Sequence, residues 1–192
     1  MSTVPALANI AEAAVRIRSA IHRTPVMTCA SLDDETGTQT YFKCENFQRT
    51  GSFKFRGATN AVKNLSAADA TKGVATHSSG NHGAALAAAA KAEGVSAKIV
   101  VPENASTIKQ ENILLHGAEL IHCEPNLQAR ETKLEEVVAE TGCTIIPPYN
   151  DFDIIAGQGT AAMELLEDTD SLDHLIAPVG GGGLLSGTAI CA

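Results

Sequence analysis

Short runs of β-branched and other apolar residues alternate with longer runs of helix-forming residues through the middle of the chain. The short runs predict strands at 74–76, 97–101, 119–123 and 144–146. The longer runs predict helices at 81–93, 107–116 and 127–140, each followed within two residues by a glycine, as expected at a helix C-terminus. Short strands separated by helices of roughly 10–15 residues are typical of βαβ units. The pattern therefore predicts an α/β fold built on a parallel sheet.

Further elements are predicted on both sides of this region. Towards the N-terminus they are a helix at 5–22, a strand at 40–44, and a helix that has Ser52 as its N-cap and ends at residue 64. Towards the C-terminus they are a helix at 153–167, a buried strand at 172–179 and a helix from Leu184 onward. Because the sequence stops within that last helix, on the apolar run 188–191, we expect a truncated chain.

Composition excludes several classes of partner. The 192-residue chain has a net charge of −8 without a basic stripe, and its low aromatic content of 4% provides few stacking platforms, so nucleic acid is not expected as a partner. No apolar stretch approaches the ~20 residues that cross a bilayer, so no membrane partner is expected. The five cysteines form no Cys-x-x-Cys pair, and neither they nor the six histidines have close metal-ligand spacing. Free thiols and the lack of a secretory signal predict a cytoplasmic protein.

Lys54 lies between two aromatic residues in Ser52-Phe53-Lys54-Phe55-Arg56, at the start of a predicted helix. An amine among apolar groups loses hydration, so its pKa falls and the neutral form can attack a carbonyl carbon. This chemistry suits a Schiff base, for which pyridoxal 5'-phosphate (PLP) is the usual carbonyl partner. The alternative is a lysine of an amphipathic helix whose amine reaches solvent.

Four consecutive glycines, Gly180 to Gly183, follow the strand predicted at 172–179 and precede a predicted helix. Glycines have no Cβ, so backbone N–H groups can close around an anion, and the helix N-terminus adds partial positive charge. The run therefore predicts a phosphate-binding loop, with a flexible turn as the alternative.

Polar and small residues also fill the segment His77-Ser78-Ser79-Gly80-Asn81-His82-Gly83, between a predicted strand and a predicted helix. Parallel α/β sheets place ligands at such strand ends. The segment offers donors for a carboxylate or a phenolate oxygen, and simple helix capping is the alternative.

A dinucleotide pattern, G-x-G-x-x-A, occurs at Gly157 to Ala162. It would indicate a nicotinamide-dependent oxidoreductase. The preceding residues 151–156 are too short and too acidic for a buried strand, and no acidic residue ends a strand ~20 positions later. We therefore expect these glycines to allow close helix packing.

The three segments at 52–58, 78–83 and 180–183 together resemble the fold-type II PLP enzymes, specifically the serine racemase and serine/threonine dehydratase family. The segment 156–160 is similar to a further family segment. The resemblance extends over nearly the whole chain. It implies twisted parallel or mixed sheets flanked by helices, with an incomplete large PLP-binding domain at 1–66 and 150–192 and a small mobile domain at 67–149.

The resemblance also implies residue roles. Lys54 would form the Schiff base and act as a base at the substrate α-carbon. Further cofactor contacts would come from Phe53, Asn81, Asn150, Gly180, Gly181, Gly182, Gly183 and Leu184. Substrate contacts would come from Ser78, Ser79, Asn81, His82 and, on domain closure, Arg130.

Ser79 bears on the activity, because racemases of this family carry serine at this position and dehydratase-only relatives tend to carry alanine. Racemisation needs proton transfer on both faces of a planar carbanion, and Ser79 would act on the face opposite Lys54. The resemblance implies a serine racemase that also eliminates water from L-serine or L-threonine, giving pyruvate or 2-oxobutyrate with ammonia. The alternative reading of Ser79 is a small residue at the entry to a helix.

Two alternative functions stay open at this point. One is a serine/threonine or hydroxyaspartate ammonia-lyase without racemisation, and the other is an inactive PLP-binding fragment. The resemblance further implies a homodimer when the protein is complete, and it places the family's divalent-cation ligands beyond residue 192.

Overall fold

The computed structural model describes residues 4–192. In chain order its first elements are α1 (Leu7–Ile17), β1 (Val26–Met27), α2 (Ala30–Thr36), β2 (Phe42–Lys43), α3 (Lys54–Lys63) and α4 (Ala67–Lys72). Strands β1 and β2 pair antiparallel in a small separate sheet. Two 3₁₀ turns, Glu45–Phe47 and Arg49–Gly51, connect β2 to α3.

The middle of the chain forms a four-stranded parallel sheet. Its elements are β3 (Val74–Thr76), α5 (Asn81–Ala92), β4 (Ala97–Pro102), α6 (Thr107–Leu115), β5 (Glu119–Cys123), α7 (Leu127–Thr141) and β6 (Thr144–Ile145). The strand order is β5–β4–β3–β6, so the chain moves outward from β3 to β5 and then returns to the other side of β3. The order of the strands therefore reverses between β3 and β6, which are neighbours in the sheet but are not consecutive along the chain. Open α/β sheets hold ligands at such a switch point.

Two more helices, α8 (Phe152–Asp168) and α9 (Gly183–Cys191), complete the fold. Helix α8 packs against α1, α3 and α9, and α3 packs against the alanine-rich helix α5, which contacts the sheet. The small side chains of α5 let it be buried almost throughout. The principal core joins α3, α5, the sheet and α8, and its larger members include Phe55, Leu86, Ile99, Ile113 and Ile154. Helix α3 is thus fixed on both sides, which fixes the position of Lys54 at its start.

Glycines let α8 approach its neighbours closely. A Cβ on Gly157 would lie 2.6 Å from the Cα of Gly57, and a Cβ on Gly159 would lie 2.6 Å from Cδ1 of Ile10. Both glycines lie inside a helix and are buried, not in a turn between a strand and a helix. The dinucleotide interpretation is therefore excluded, and the expectation of close helix packing is confirmed.

A buried ion cluster ties α3 to α8 and to the turn after β2. Arg56 is fully buried, and its guanidinium donates two hydrogen bonds of 2.8 Å to Glu45 and two of 2.8 Å to Glu164. A fifth bond of 3.2 Å runs to Thr160, so every guanidinium N–H has an acceptor. Burial alone would raise the pKa of Glu164, but the guanidinium of Arg56 and the amine of Lys43 hold it below its ordinary value.

Two local predictions are wrong. Ser52 does not cap α3: the N-cap is Phe53, and the hydroxyl of Ser52 is buried without a partner among residues 4–192. Residues 172–179 are not a buried strand, since Ile176 is 96% exposed and Val179 63% exposed. No strand of the described chain lies beside this segment, and a lone strand cannot satisfy its backbone groups.

The predicted parallel sheet is confirmed, with each strand within one residue of its predicted ends. The opening helix is shorter than predicted, and β1, α2 and α4 were not predicted at all.

None of the helices between residues 4 and 192 combines the length and the apolar character that a membrane span requires. In the same range no group of three or more His, Cys, Asp or Glu side chains is arranged to hold a metal ion.

Candidate functional site

The carboxyl ends of β3 and β6 form the candidate site. Residues 77–80 lead from β3 into α5, and residues 146–151 lead from β6 into α8. The ring of His82, the second residue of α5, joins the start of that helix to the segment after β6, because its Nε2 atom lies 2.9 Å from the carbonyl oxygen of Ile146. A carbonyl oxygen only accepts hydrogen bonds, so Nε2 carries the hydrogen and donates it.

His82 is neutral at pH 7. Burial lowers its pKa to about 4, the hydrogen bond to Ile146 opposes this shift, and the charge of Lys54 adds to it. With its hydrogen on Nε2, the ring keeps Nδ1 as an acceptor, and this atom is buried with no partner in the described part of the chain. Buried polar atoms are normally paired, so Nδ1 is available to a donor on a ligand.

Lys54 brings its amine into the same site. Its Nζ atom donates a 2.7 Å hydrogen bond to the carbonyl oxygen of Pro148 and lies 5.3 Å from the ring centroid of Phe53. Burial lowers the pKa of Lys54, which is the direction expected from its aromatic neighbours in the sequence. Because its charge also lowers the pKa of His82, the two side chains share one site.

The loop after β3 presents polar groups beside the start of α5. The helix begins at Asn81 after Gly80, and no side chain caps it. Its first N–H groups have no partner within the helix and carry its positive end. Ser78 and Ser79 are part-buried in the loop, and Asn81 is exposed. A Cβ on Gly83 would lie 1.9 Å from the carbonyl oxygen of Ser78, so the loop folds back closely onto the helix.

The four glycines at 180–183 differ in how much room each position leaves for a side chain. Gly182 has a left-handed φ of +85°, and a Cβ on Gly181 would lie 1.9 Å from Cδ1 of Tyr149. In contrast, a Cβ on Gly180 would meet nothing within 4 Å, and one on Gly183 would make only ordinary contacts, at 3.6 Å and beyond. Gly180 thus faces open space that a ligand could occupy, whereas Gly183 is buried against Tyr149 and Ile154. Helix α9 begins there and adds its positive end.

The segment 146–150 contacts all three groups of the site. The carbonyl oxygen of Pro148 accepts from the lysine amine, and that of Ile146 accepts from the ring of His82. The ring of Tyr149 packs on Gly181 of the glycine loop. This short segment therefore links the lysine, the loop after β3 and the glycine loop.

Sequence reasoning identified Asn150 in this segment but missed Pro148 and Tyr149. Asn150 has a φ of +54°, a left-handed conformation that is uncommon for a residue other than glycine. Any residue can supply a backbone carbonyl, so the residue type does not predict the acceptor for Lys54. The pair Pro147-Pro148 after a strand indicates a restricted backbone at this point, because proline fixes φ, but it does not indicate a bond to the lysine.

The remaining predicted residues lie at different distances from this centre. Phe53 is the N-cap of α3 beside the lysine amine, and Leu184 is the second residue of α9, after the glycines. Arg130 lies on α7, which follows the edge strand β5, and it donates a 3.4 Å hydrogen bond to the carbonyl of Asn126 in its own helix turn. No hydrogen bond in the described chain joins Arg130 to the rest of the site.

The residues present fit a phosphorylated aldehyde such as PLP. The amine of Lys54, with its lowered pKa, suits attack on an aldehyde carbon. The open space at Gly180, shortly before the N-terminus of α9, suits a phosphate. Two buried atoms without a partner among residues 4–192, Oγ of Ser52 and Nδ1 of His82, suit the polar groups of a ligand.

Comparison with known proteins identifies the family. The profile of the family described as "Pyridoxal-phosphate dependent enzyme" matches residues 17–191. Serine racemase from Dictyostelium discoideum is 48% identical over 192 residues, which are 100% of this chain and 59% of the relative. β-Hydroxyaspartate dehydratase from Paracoccus denitrificans is 48% identical over 187 residues, which are 97% of this chain and 59% of that relative.

The crystal structure of the serine racemase from Dictyostelium discoideum has the same fold. It superposes with a TM-score of 0.95, and the match covers 99% of this chain and 62% of the other. The chain thus spans 54–59% of the length of curated relatives that it matches. The predicted α/β architecture is confirmed as that of the fold-type II PLP enzymes. The chain belongs to the family of pyridoxal-phosphate dependent enzymes.

Proposed function

We propose that this chain carries the catalytic lysine and the cofactor site of a serine racemase that also eliminates water from serine or threonine. The observation that carries the proposal is the partly buried amine of Lys54, whose pKa is lowered and which lies 2.7 Å from the carbonyl oxygen of Pro148 at the switch point of the sheet. The names of relatives that are 48–50% identical supply the substrate class, because they are serine racemases and hydroxyaspartate lyases.

PLP would be held at both ends. Lys54 would bond to the aldehyde carbon, Phe53 would pack beside the ring, and Asn81 and Asn150 would contact its polar groups. The N–H groups of the glycine loop, Gly180, Gly181, Gly182 and Gly183, and of Leu184 would bind the phosphate. When bound, the cofactor would supply an electron sink that stabilises negative charge at the substrate α-carbon.

The substrate carboxylate would bind the positive end of α5. Ser78 and Asn81 would add donors at the loop. His82 would contribute its backbone N–H, since its neutral ring already donates Nε2–H to Ile146. Arg130 would join the carboxylate only after a movement of α7, because it is now bonded within its own helix.

Two side chains would move the protons. Once the amino group of L-serine had displaced it from the aldehyde carbon, the neutral amine of Lys54 would take the α-proton, and the hydroxyl of Ser79 would deliver a proton to the opposite face to give D-serine. In the elimination reaction the β-hydroxyl would leave as water. Hydrolysis would then give pyruvate and ammonia from serine, or 2-oxobutyrate and ammonia from threonine.

An ammonia-lyase that acts on hydroxyaspartate is the second candidate function. The observation that favours it is the β-hydroxyaspartate dehydratase of Paracoccus denitrificans, which at 48% is as similar to this chain as the racemase of Dictyostelium discoideum. Ser79 favours the racemase, because it would supply the second proton-transfer group.

The proposal extends to the organisation of the protein. It includes a large domain at 1–66 and 150–192, a small mobile domain at 67–149, a homodimer and a cytoplasmic location. The division is supported by the parallel sheet, whose four strands all lie between residues 74 and 145. The five cysteines, all unpaired, support a reducing compartment.

The experiment is to incubate the chain with PLP and L-serine and to measure D-serine and pyruvate separately. Lys54→Ala should abolish both products, whereas Ser79→Ala should abolish D-serine and keep or raise pyruvate. Ser106→Ala is the matched control, because Ser106 also precedes a helix after a strand and its side chain makes no capping bond. Turnover by Lys54→Ala would refute the proposal. Faster turnover of hydroxyaspartate than of serine, without D-serine, would favour the second candidate.

A further inference from the structure

Tyr149 lies between two residues with defined positions in the candidate site. The preceding residue, Pro148, holds the amine of Lys54 through its carbonyl oxygen. The following residue, Asn150, has a left-handed φ of +54°. Tyr149 thus directly follows the residue whose carbonyl oxygen bonds the lysine amine, and precedes a residue with an uncommon backbone conformation.

The ring lies against the glycine loop. A Cβ on Gly181 would lie 1.9 Å from Cδ1, 2.1 Å from Cγ and 2.4 Å from Cε1 of Tyr149, so the ring occupies the place that a side chain would take. The Cα and Cβ atoms of Tyr149 also lie 3.6 Å from the Cβ position of Gly183. Since Tyr149 is 41% exposed, the ring contacts the loop and still reaches solvent.

A run of four glycines has unusually high conformational freedom, which must be lost when the loop closes around a phosphate. A ring packed on the second glycine restricts that freedom before the ligand arrives. Restriction of this kind raises affinity because less ordering is left for the binding step.

We propose that Tyr149 is a positioning residue that holds the glycine loop in its phosphate-binding conformation. This inference rests on the proposed function, in which the loop binds the phosphate of PLP. The contact of Tyr149 with Gly181 is made by carbon atoms of the ring, so holding the loop does not require the phenol hydroxyl. The effect is confined to the phosphate end, so it should be absent for a ligand that has the aldehyde but lacks the phosphate.

The experiment compares PLP with pyridoxal, its unphosphorylated form, on the purified chain. Each ligand is titrated, the mixture is reduced with borohydride, and the fraction of chain labelled at Lys54 is measured by peptide mapping. The variants are Tyr149→Ala and Tyr149→Phe. Tyr41→Ala is the matched control, because Tyr41 is the other tyrosine of the chain and lies next to β2, away from the loop. Circular dichroism checks that each variant is folded.

Tyr149→Ala should weaken the apparent affinity for PLP by about tenfold and leave that for pyridoxal within about twofold. Tyr149→Phe and Tyr41→Ala should match the unsubstituted chain with both ligands. Equal losses for both ligands, no loss in Tyr149→Ala, or a loss in Tyr149→Phe as large as in Tyr149→Ala would each overturn the inference. If the unsubstituted chain is not labelled at Lys54 by either ligand, the proposed function itself fails. If the chain is labelled at Lys54 but Tyr149→Ala does not change the labelling, only the inference about Tyr149 fails.

Discussion

The Nζ atom of Lys54 donates a 2.7 Å hydrogen bond to the carbonyl oxygen of Pro148, a residue 94 positions later in the chain. The bond joins the first residue of α3 to the segment that follows β6, on the side of β3 where the sheet order reverses. The same segment accepts a hydrogen bond from His82 and packs a ring on Gly181. One short stretch of backbone therefore sets the relative positions of the lysine, the loop after β3 and the glycine loop.

The reactivity of Lys54 should rise at a lower pH than that of an ordinary lysine. Burial disfavours the charged amine and lowers its pKa, so the neutral form becomes populated below the ordinary value of 10.5. Brief acetylation at a series of pH values, followed by mass spectrometry of the peptide that contains Lys54, measures the midpoint. An acetyl-capped peptide of residues 50–58 is the control. Equal midpoints in the chain and the peptide would contradict the burial argument.

The stability of the fold should decrease as the pH falls from about 6.5 towards 4. His82 has a folded pKa of about 4 against an ordinary value of 6.5, so over this range the unfolded chain binds a proton that the folded chain does not. The loss of unfolding free energy from this residue should reach about 3 kcal/mol at pH 4. Denaturant unfolding of the unsubstituted chain and of His82→Gln at several pH values tests this.

His82→Gln should flatten that pH dependence, whereas a substitution of the exposed His174 by Gln should leave it unchanged. An equally steep decline in His82→Gln would assign the pH dependence to other groups.

Removal of the Arg56 guanidinium should destabilise the fold strongly. Arg56→Met leaves Glu45 and Glu164 without their main cation, and breaking a buried ion pair in this way costs about 3–5 kcal/mol. Arg56→Lys should recover only part of the loss, because an ammonium cannot bind two carboxylates in the bidentate manner. Arg23→Met is the matched control. Its pairs with Glu167 and Asp168 are partly exposed, and it should cost at most about 1 kcal/mol. Similar losses in the two methionine variants would refute the special role of the buried cluster.

Two glycine substitutions should separate ligand binding from packing. Gly180→Ala adds a methyl group to open space, so unfolding free energy should change by no more than about 0.5 kcal/mol while labelling by PLP weakens. Gly157→Ala places its methyl group 2.6 Å from the Cα of Gly57, so it should destabilise the fold by about 1–3 kcal/mol. Denaturant unfolding and PLP titration of both variants check the pair. Unchanged PLP binding in Gly180→Ala would argue against a phosphate at that loop.

The sheet was predictable because β-branched runs favour strands and glycines end helices. Both effects depend on residues close together along the chain. The segment 172–179 has the composition of a strand, but a strand needs a neighbour, and composition does not report one. Ser52 has the residue type and the extended backbone of an N-cap, yet α3 begins two residues later and the Ser52 hydroxyl bonds none of its N–H groups. Motifs in the sequence predict Lys54 and Gly181 as site residues. Their neighbours Pro148 and Tyr149 could not be predicted, because a carbonyl acceptor and a ring packed on glycine depend on the tertiary fold.

Reductive labelling of the chain by PLP most directly tests whether Lys54 is the cofactor lysine. The chain is mixed with PLP, reduced with borohydride, digested and mapped, and Lys63→Ala serves as a control for Lys54→Ala on the same helix. We expect one dominant labelled peptide, carrying the cofactor on Lys54, in the unsubstituted chain and in Lys63→Ala, and no such label in Lys54→Ala. Label distributed over several surface lysines, or a folded chain without label on Lys54, would contradict the assignment of this residue as the cofactor lysine.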